Sequence, residues 1–409
     1  MGGMADEHRA LRGRVVTADR VLSDGAVVLA GPRIAWVGPV EEAAAAGHGT
    51  AVAATPAPTD GRYVLPGLVD LHCHGGGGAS FPDAEDAPAA LGAVVEHRRH
   101  GTTTLVASLV TAAPDTLRAR VGLLADLADA GEIDGIHLEG PFLSPARCGA
   151  QDPALMRAPD PALAGELLAL GRGHVATMTL APERPGNTGP DGVAARLVAG
   201  AALPAWGHTD AGPEETRRAL AESAELLRAT AGARAARPTV THLFNGMRPL
   251  HHRDPGPIGE FLAAARRGAA VVELIGDGVH LAPAVVRAVY ELVGRENAAL
   301  VTDAMAAAGM PDGAYRLGSM EVTVAGGVAR LSVDGTIAGG TAHLLDVVRT
   351  TVAGGVPLVD AVYMAASTPA AVLGRRDVGA LEAGRRADVV VTDADLRPLA
   401  VHRLGQEVT

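Results

Sequence analysis

Eight apolar, β-rich runs, each ending in polar residues and each separated from the next by an Ala/Leu/Arg-rich helical stretch, constrain this chain more than any other feature. They lie at residues 64–71, 102–109, 133–138, 174–180, 203–206, 239–242, 270–275 and 298–301. Long apolar runs alternating with helices imply a parallel sheet covered on its outer face. Eight such units imply an α/β fold closed into a (β/α)8 barrel of the TIM type. The alternative, a doubly wound open sheet, wants a Gly-rich phosphate loop opening a helix after its first strand. The only candidate, residues 75–78, follows His-Cys-His and lacks the G-x-G-x-x-G spacing.

The two ends of the chain read differently. Residues 13–17, 25–30 and 33–38 are rich in Val, Ile and Trp and are separated by turn pairs such as Asp24-Gly25 and Gly31-Pro32. Residues 387–392 (ADVVVT) form a short β run after a turn at 382–384. We therefore expect a small β-sandwich domain assembled from residues 1–65 and 373–409, with the barrel, residues 66–372, inserted between its halves.

Composition narrows the chemistry. Hydrophobic residues are 48% of the chain but aromatics only 2%, so the core has to be built from Ala, Val and Leu. A formal charge of −11 argues against nucleic acid as the main partner. All 35 basic residues are Arg, and without Lys there is neither a Schiff base nor a carboxylated Lys to bridge two metals. Two cysteines, Cys73 and Cys148, suit a reducing compartment, hence a cytoplasmic location. The opening MGGMADEHRALRGR has no apolar run of the signal-peptide kind, and no segment offers the roughly 18 apolar residues of a membrane span.

In a barrel of this type, reactive groups gather at the C-terminal ends of the strands. Here those ends carry His72 and His74, His137 and Glu139, His208, His242, Asp277 and His280, and Asp303. His-x-His on a strand puts both imidazoles on one face, because side chains alternate with period two. Imidazole and carboxylate together suit Zn2+, Fe2+ and similar divalent ions. A lone histidine is more often structural; four His (His72, His74, His208, His242), one Glu (Glu139) and one Asp (Asp303) at five separate strand ends read as a metal centre. His137 shares the face of Glu139, which suits a supporting role behind a ligand. His97, His100, His174, His251, His252, His343 and His402 lie in polar helical, loop or strand-start contexts and read as solvated or structural. Cys73 points to the face opposite its two histidine neighbours and reads as a small core residue, and Cys148, beside Arg147, as a bystander thiol.

The segments PGLVDLHCHG (66–75), HLEGPFL (137–143), GHTDA (207–211), THLFNGM (241–247), GDGVHLAP (276–283), VTDAM (301–305) and DGTIAGG (334–340) together resemble the N-acetylglucosamine-6-phosphate deacetylases of the amidohydrolase superfamily. The resemblance covers nearly the whole chain. It implies a main metal held by Glu139, His208 and His242, a second held by His72 and His74 in only some members, and Asp303 as both catalytic aspartate and metal ligand. It implies zinc, with iron, cobalt or manganese as alternatives, and one or two ions per chain. It further implies that His280 contacts the sugar, that Asn245, the backbone at Gly246, and Arg253 bind its phosphate, and that Arg253 reaches across a homodimer interface. Where some members carry a substrate-bonding His, this chain has Gln151, which donates a hydrogen bond but carries no charge. The expected activity is hydrolysis of an acetamide on an N-acetylglucosamine 6-phosphate. The alternatives are N-acetylgalactosamine 6-phosphate or another N-acyl substrate, and a non-catalytic barrel scaffold, which the filled ligand positions disfavour.

Overall fold

The computed structural model describes residues 8–409; the first seven residues of the small domain expected over 1–65 lie outside the described residues. Eight parallel strands form the barrel wall: Leu68–Cys73, Thr102–Leu109, Gly135–Glu139, Val175–Leu180, Leu203–Trp206, Thr239–Val240, Val271–Leu274 and Ala298–Leu300. Every residue in them is buried, as a sheet filled inside and covered outside requires. The covering helices start with Ala87–Arg99 and Pro114–Asp129 and continue around the barrel to Leu344–Ala353. Proline occupies the first turn of several of them, where its missing N–H costs nothing. Asp86 and Asp160 cap two of the helices through their carboxylates. The core is Ala, Val and Leu, with a few large side chains such as Trp206, Phe81, Phe142 and Phe261 fully buried.

The seam between the first and eighth strands is closed partly by side chains. Thr302 donates its hydroxyl to the Asp70 carboxylate at 2.6 Å, and the same carboxylate accepts the backbone N–H of His72 at 3.2 Å. The Asp303 N–H then bonds the His72 carbonyl at 2.8 Å, which brings the two strand ends that carry candidate ligands edge to edge.

The run at 64–71, one strand in the sequence, is two in the structure. Tyr63–Pro66 belongs to the small domain and Leu68–Cys73 to the barrel. The small domain is a seven-stranded sheet in which Tyr63–Pro66 pairs with Arg9–Val16 on one side and Val389–Thr392 on the other. The sheet folds over on itself: Ile34 at its far edge exchanges backbone bonds with residues 384 and 385, which lead into Val389–Thr392. A core of Val15, Val27, Leu29, Ile34, Val64 and Val389 is enclosed between. Buried Arg386 ties this domain to the barrel, bonding Asp388, the Thr103 carbonyl at 3.0 Å and the Thr104 hydroxyl at 2.7 Å. A three-stranded antiparallel sheet, spanning Gly313–Leu317, Met320–Ala325 and Val328–Leu331, follows the eighth barrel strand; the sequence patterning above does not reveal it.

Candidate active site

Glu139 ends the third barrel strand and sits at the centre of the cluster. Its Oε1 lies 3.0 Å from His208 Nε2 and 2.9 Å from His242 Nε2, while its Oε2 lies 3.2 Å from His74 Nε2. The carboxylate thus faces two buried trios, Glu139 with His208 and His242, and Glu139 with His72 and His74. Asp303 closes the second, with Oδ1 at 3.2 Å from both His72 and His74 Nε2.

Three of the four converging imidazoles are aimed by a bond at the other nitrogen. His74 Nδ1 donates to the Ser108 carbonyl at 3.2 Å, His208 Nδ1 to the Arg147 carbonyl at 2.9 Å, and His72 Nδ1 to the Glu273 carboxylate at 3.2 Å. His137 is not among the converging groups. It bonds Ser108 Oγ and Thr179 Oγ1 and presents its ring edge to His72 at 4.4 Å between centroids. Burial, reinforced by His72, keeps His137 well below its ordinary pKa and therefore neutral.

These residues fit a divalent cation. His72 and His74 bring their Nε2 atoms to 3.0 Å, and His208 and His242 to 3.1 Å. Ring nitrogens facing each other at that distance with lone pairs repel unless a proton or a metal lies between them. Glu139, Glu273 and Asp303 are all buried, and among the described residues their ion pairs are made to histidines alone. Buried carboxylates without cationic partners are costly. Burial alone would push the His72 imidazole toward its neutral form, yet Asp303 and Glu139 hold it well above its ordinary value. The pocket draws positive charge.

Residues 63–404 match the amidohydrolase family. The chain belongs to that family. Its relatives include an N-acetylgalactosamine-6-phosphate deacetylase of Escherichia coli O157:H7, 35% identical over 85% of this chain and 88% of that one. An N-acetylglucosamine-6-phosphate deacetylase of Bacillus subtilis is 34% identical over 83% and 82%. Among solved structures, an N-acetylglucosamine-6-phosphate deacetylase of Mycobacterium smegmatis superposes with a TM-score of 0.85 at 43% identity, covering 98% of this chain and 99% of that one. That protein is an aspartate-to-alanine variant in complex with N-acetyl-D-glucosamine 6-phosphate. The amidohydrolase fold and the hydrolase class expected from the sequence are those found.

The amidohydrolase centre opens into a cavity of about 210 Å3 whose wall includes His74, Glu139, His208, His242, Asp303, Gln151, Asn245, Gly246 and His280. Gln151 is held at both ends: its Oε1 accepts the Thr111 N–H at 2.7 Å, and its Nε2 donates to Glu139 Oε2 at 2.5 Å. His280 is oriented by Asp277, which takes its Nδ1–H at 2.8 Å and its backbone N–H at 2.8 Å. Gly246 is at φ +59°, and a Cβ there would lie 2.8 Å from His208 Nδ1, so only glycine lets this loop close on the imidazole.

Arg253 is not brought to this cavity; it stands exposed on the loop after the sixth strand. The nearby Arg147 and Arg248 are engaged by Asp210, at 2.7 and 3.2 Å. A wider groove of about 1110 Å3 runs alongside, between the loops after the first two strands and the three-stranded insert, and none of the candidate ligands lines it. The residue that sequence reasoning missed is Glu273. Its signal was a single acid inside the apolar run Val-Val-Glu-Leu of a strand that packs on both sides.

Proposed function

We propose that this amidohydrolase cleaves the acetamide of N-acetyl-D-glucosamine 6-phosphate, yielding acetate and glucosamine 6-phosphate. The carrying observation is the convergence of His74, His208, His242 and Asp303 around Glu139 in the wall of one cavity, with buried His72 reaching Asp303 from behind. In this reading Glu139, His208 and His242 would hold the main ion, and His72 and His74 would hold a second. Zinc suits the imidazole-rich set best, and iron, cobalt or manganese are the alternatives. A divalent ion held there would supply Lewis acidity, making water easier to deprotonate and drawing charge from the acetyl carbonyl.

Asp303 does the proton work. Burial would raise its pKa, but His72 and His74 outweigh that and keep it below the usual carboxylate range, so it stands ready as a base. Its carboxylate takes a proton from the attacking water as the C–O bond forms. It returns that proton to the nitrogen as the C–N bond breaks. His280 contacts the sugar. Asn245 and the Gly246 backbone take the phosphate, and the cation they lack comes from Arg253 of a second copy in a homodimer. Such remote binding orients the acetamide and favours the phosphorylated substrate. The reaction belongs to amino-sugar catabolism or cell-wall recycling in the cytoplasm.

A second reading, N-acetylgalactosamine 6-phosphate as the substrate, is favoured by the E. coli relative at 35% identity. One assay separates them: zinc-loaded protein with each N-acetylhexosamine 6-phosphate and with plain N-acetylglucosamine, following acetate and free amine. We expect stoichiometric release, fastest from the glucosamine epimer. Faster release from the galactosamine epimer establishes the second reading, and no release from either phosphate rejects both.

A further inference from the structure

Four imidazoles converge on Glu139 and Asp303, and they are not backed alike. Behind His74 and His208 stand neutral backbone carbonyls, at 3.2 and 2.9 Å. The Nδ1 of His242 is buried without a hydrogen-bond partner. Only His72 has a carboxylate behind it, that of Glu273 at 3.2 Å. Glu273 projects from the middle of the seventh strand, is 2% exposed, and has no Arg among its described partners. Its Oε2 also accepts the backbone N–H of His242 at 3.3 Å, and its main-chain carbonyl the N–H of Leu243 at 2.9 Å. A buried carboxylate in this position is costly unless something positive balances it, and among the described residues its side-chain partner is the imidazole of His72, through which it faces the candidate ion site.

We propose that Glu273 is a positioning residue that makes His72 a metal ligand. A carboxylate accepts and does not donate, so it fixes the proton of His72 on Nδ1. The lone pair is then left on Nε2, the atom that faces Glu139 and Asp303 at 3.7 and 3.2 Å. The negative charge behind the ring raises its basicity as a donor. The ring is held in that attitude by His137 edge-on at 4.4 Å and by His242 stacked at 5.4 Å. The other three imidazoles lack this support, so loss of Glu273 should act selectively on the ion that His72 holds. The inference rests on the metal-dependent reading of the site, but not on the identity of the sugar.

The test is a cycle of four full-length, zinc-loaded proteins: wild type, Glu273→Gln, His72→Ala and the double variant. Each is equilibrated against graded chelator and its zinc is counted by elemental analysis. Glu273→Gln keeps the shape and removes the charge. We expect it to weaken the ion held by His72 about 10- to 100-fold, the usual size for loss of a group behind a metal ligand. Any other ion should be held as in the wild type. In the His72→Ala background the same change should add nothing. Zinc affinity within twofold of wild type overturns the proposal. An equal loss with and without His72 also overturns it, because Glu273 would then act through the backbone of His242 or through the fold.

A wild type that never holds more than one ion rejects the two-ion reading, and the cycle is then read on that single ion. Indifference of that ion to His72→Ala removes His72 as a ligand and the proposal with it. Absence of acetate release alongside an intact cycle sinks the substrate assignment alone. One measurement needs no variant to fold: the 15N spectrum of His72 in the zinc-loaded wild type. A proton on Nδ1 and none on Nε2 is expected, and the opposite tautomer overturns the proposal.

Discussion

His208, His242 and Asp303 all sit at positive φ, at 45°, 28° and 47°, a region that side chains of this size seldom occupy. Each lies where a barrel strand gives way to its loop, and each is held there by backbone bonds. Among these are Ser144 N–H to the His208 carbonyl at 2.9 Å and Gly340 N–H to the Asp303 carbonyl at 2.7 Å. The strain is offset by the surrounding structure so that the side chains turn into the mouth of the barrel. This bears on Asp303→Asn. Asparagine tolerates the left-handed backbone as readily as aspartate, so the substitution removes the base without disturbing the turn. Turnover should fall by about 10² to 10⁴, the span typical of losing a positioned acid–base. Zinc on Glu139, His208 and His242 should largely remain. Near-normal kcat in this variant would mean that another group moves the proton.

At the scale of elements, the helix Ala87–Arg99 clamps the loop that follows His74. His97 on that helix donates from Nε2 to the Gly75 carbonyl at 2.9 Å and meets Cys73 Sγ at 3.2 Å. The fit is close: a Cβ on Gly76 would lie 2.7 Å from the ring. Burial lowers the His97 pKa from 6.5 to about 3, so the folded state holds it neutral while the unfolded chain protonates it. A depressed pKa of this kind gives stability that is complete above about 6.5 and is lost as the pH falls toward 3. Between pH 7 and pH 5 the loss should be about 2 kcal/mol. Urea midpoints of the wild type and His97→Gln, taken in the same metal state, measure it. The variant keeps a donor for Gly75 and should show a smaller drop; equal drops would place the proton elsewhere.

The barrel strands were legible because a strand covered on both faces needs an unbroken apolar run. The run at 64–71 misled for the same reason: Tyr63–Pro66 and Leu68–Cys73 are equally apolar, and hydrophobicity does not say which sheet a residue joins. Gly67 marks the break, since a Cβ there would fall 2.1 Å from the Thr103 hydroxyl, but that contact exists only after folding. The insert following the eighth strand escaped because it is half exposed, with the alternating burial of Met320–Ala325, and sits where the repeat leads one to expect a helix. The residues that converge on Glu139 were legible from strand ends. Glu273 was not, because a group behind a ligand sits deeper in its strand and takes its meaning from a ring on another strand.

For the molecule as a whole, the proposed substrate requires a group that neutralises its phosphate. The chain carries a net charge of −11, and no arginine lines the cavity. Arg147 and Arg248 are held by Asp210, while Arg253 is exposed on the loop after the sixth strand with no acidic partner among the described residues. A lone exposed arginine on a loop is by default a solvated one. The proposed homodimer gives it a task, a charge-assisted and potentially bidentate bond to the phosphate of the neighbouring site. Arg253→Ala should then cost roughly 1.5 to 3 kcal/mol of transition-state binding, or about a 10- to 150-fold loss in kcat/KM. The loss should vanish with plain N-acetylglucosamine, which offers nothing for the guanidinium to hold. Mixing decides the cross-subunit part. In a heterodimer of Arg253→Ala and Asp303→Asn chains, the site with an intact Asp303 receives the intact Arg253 of its neighbour, so activity should partly return. Equal losses on phosphorylated and plain sugar would show that Arg253 supports the fold. Failure to complement on mixing would leave the phosphate contact in place and confine it to a single chain.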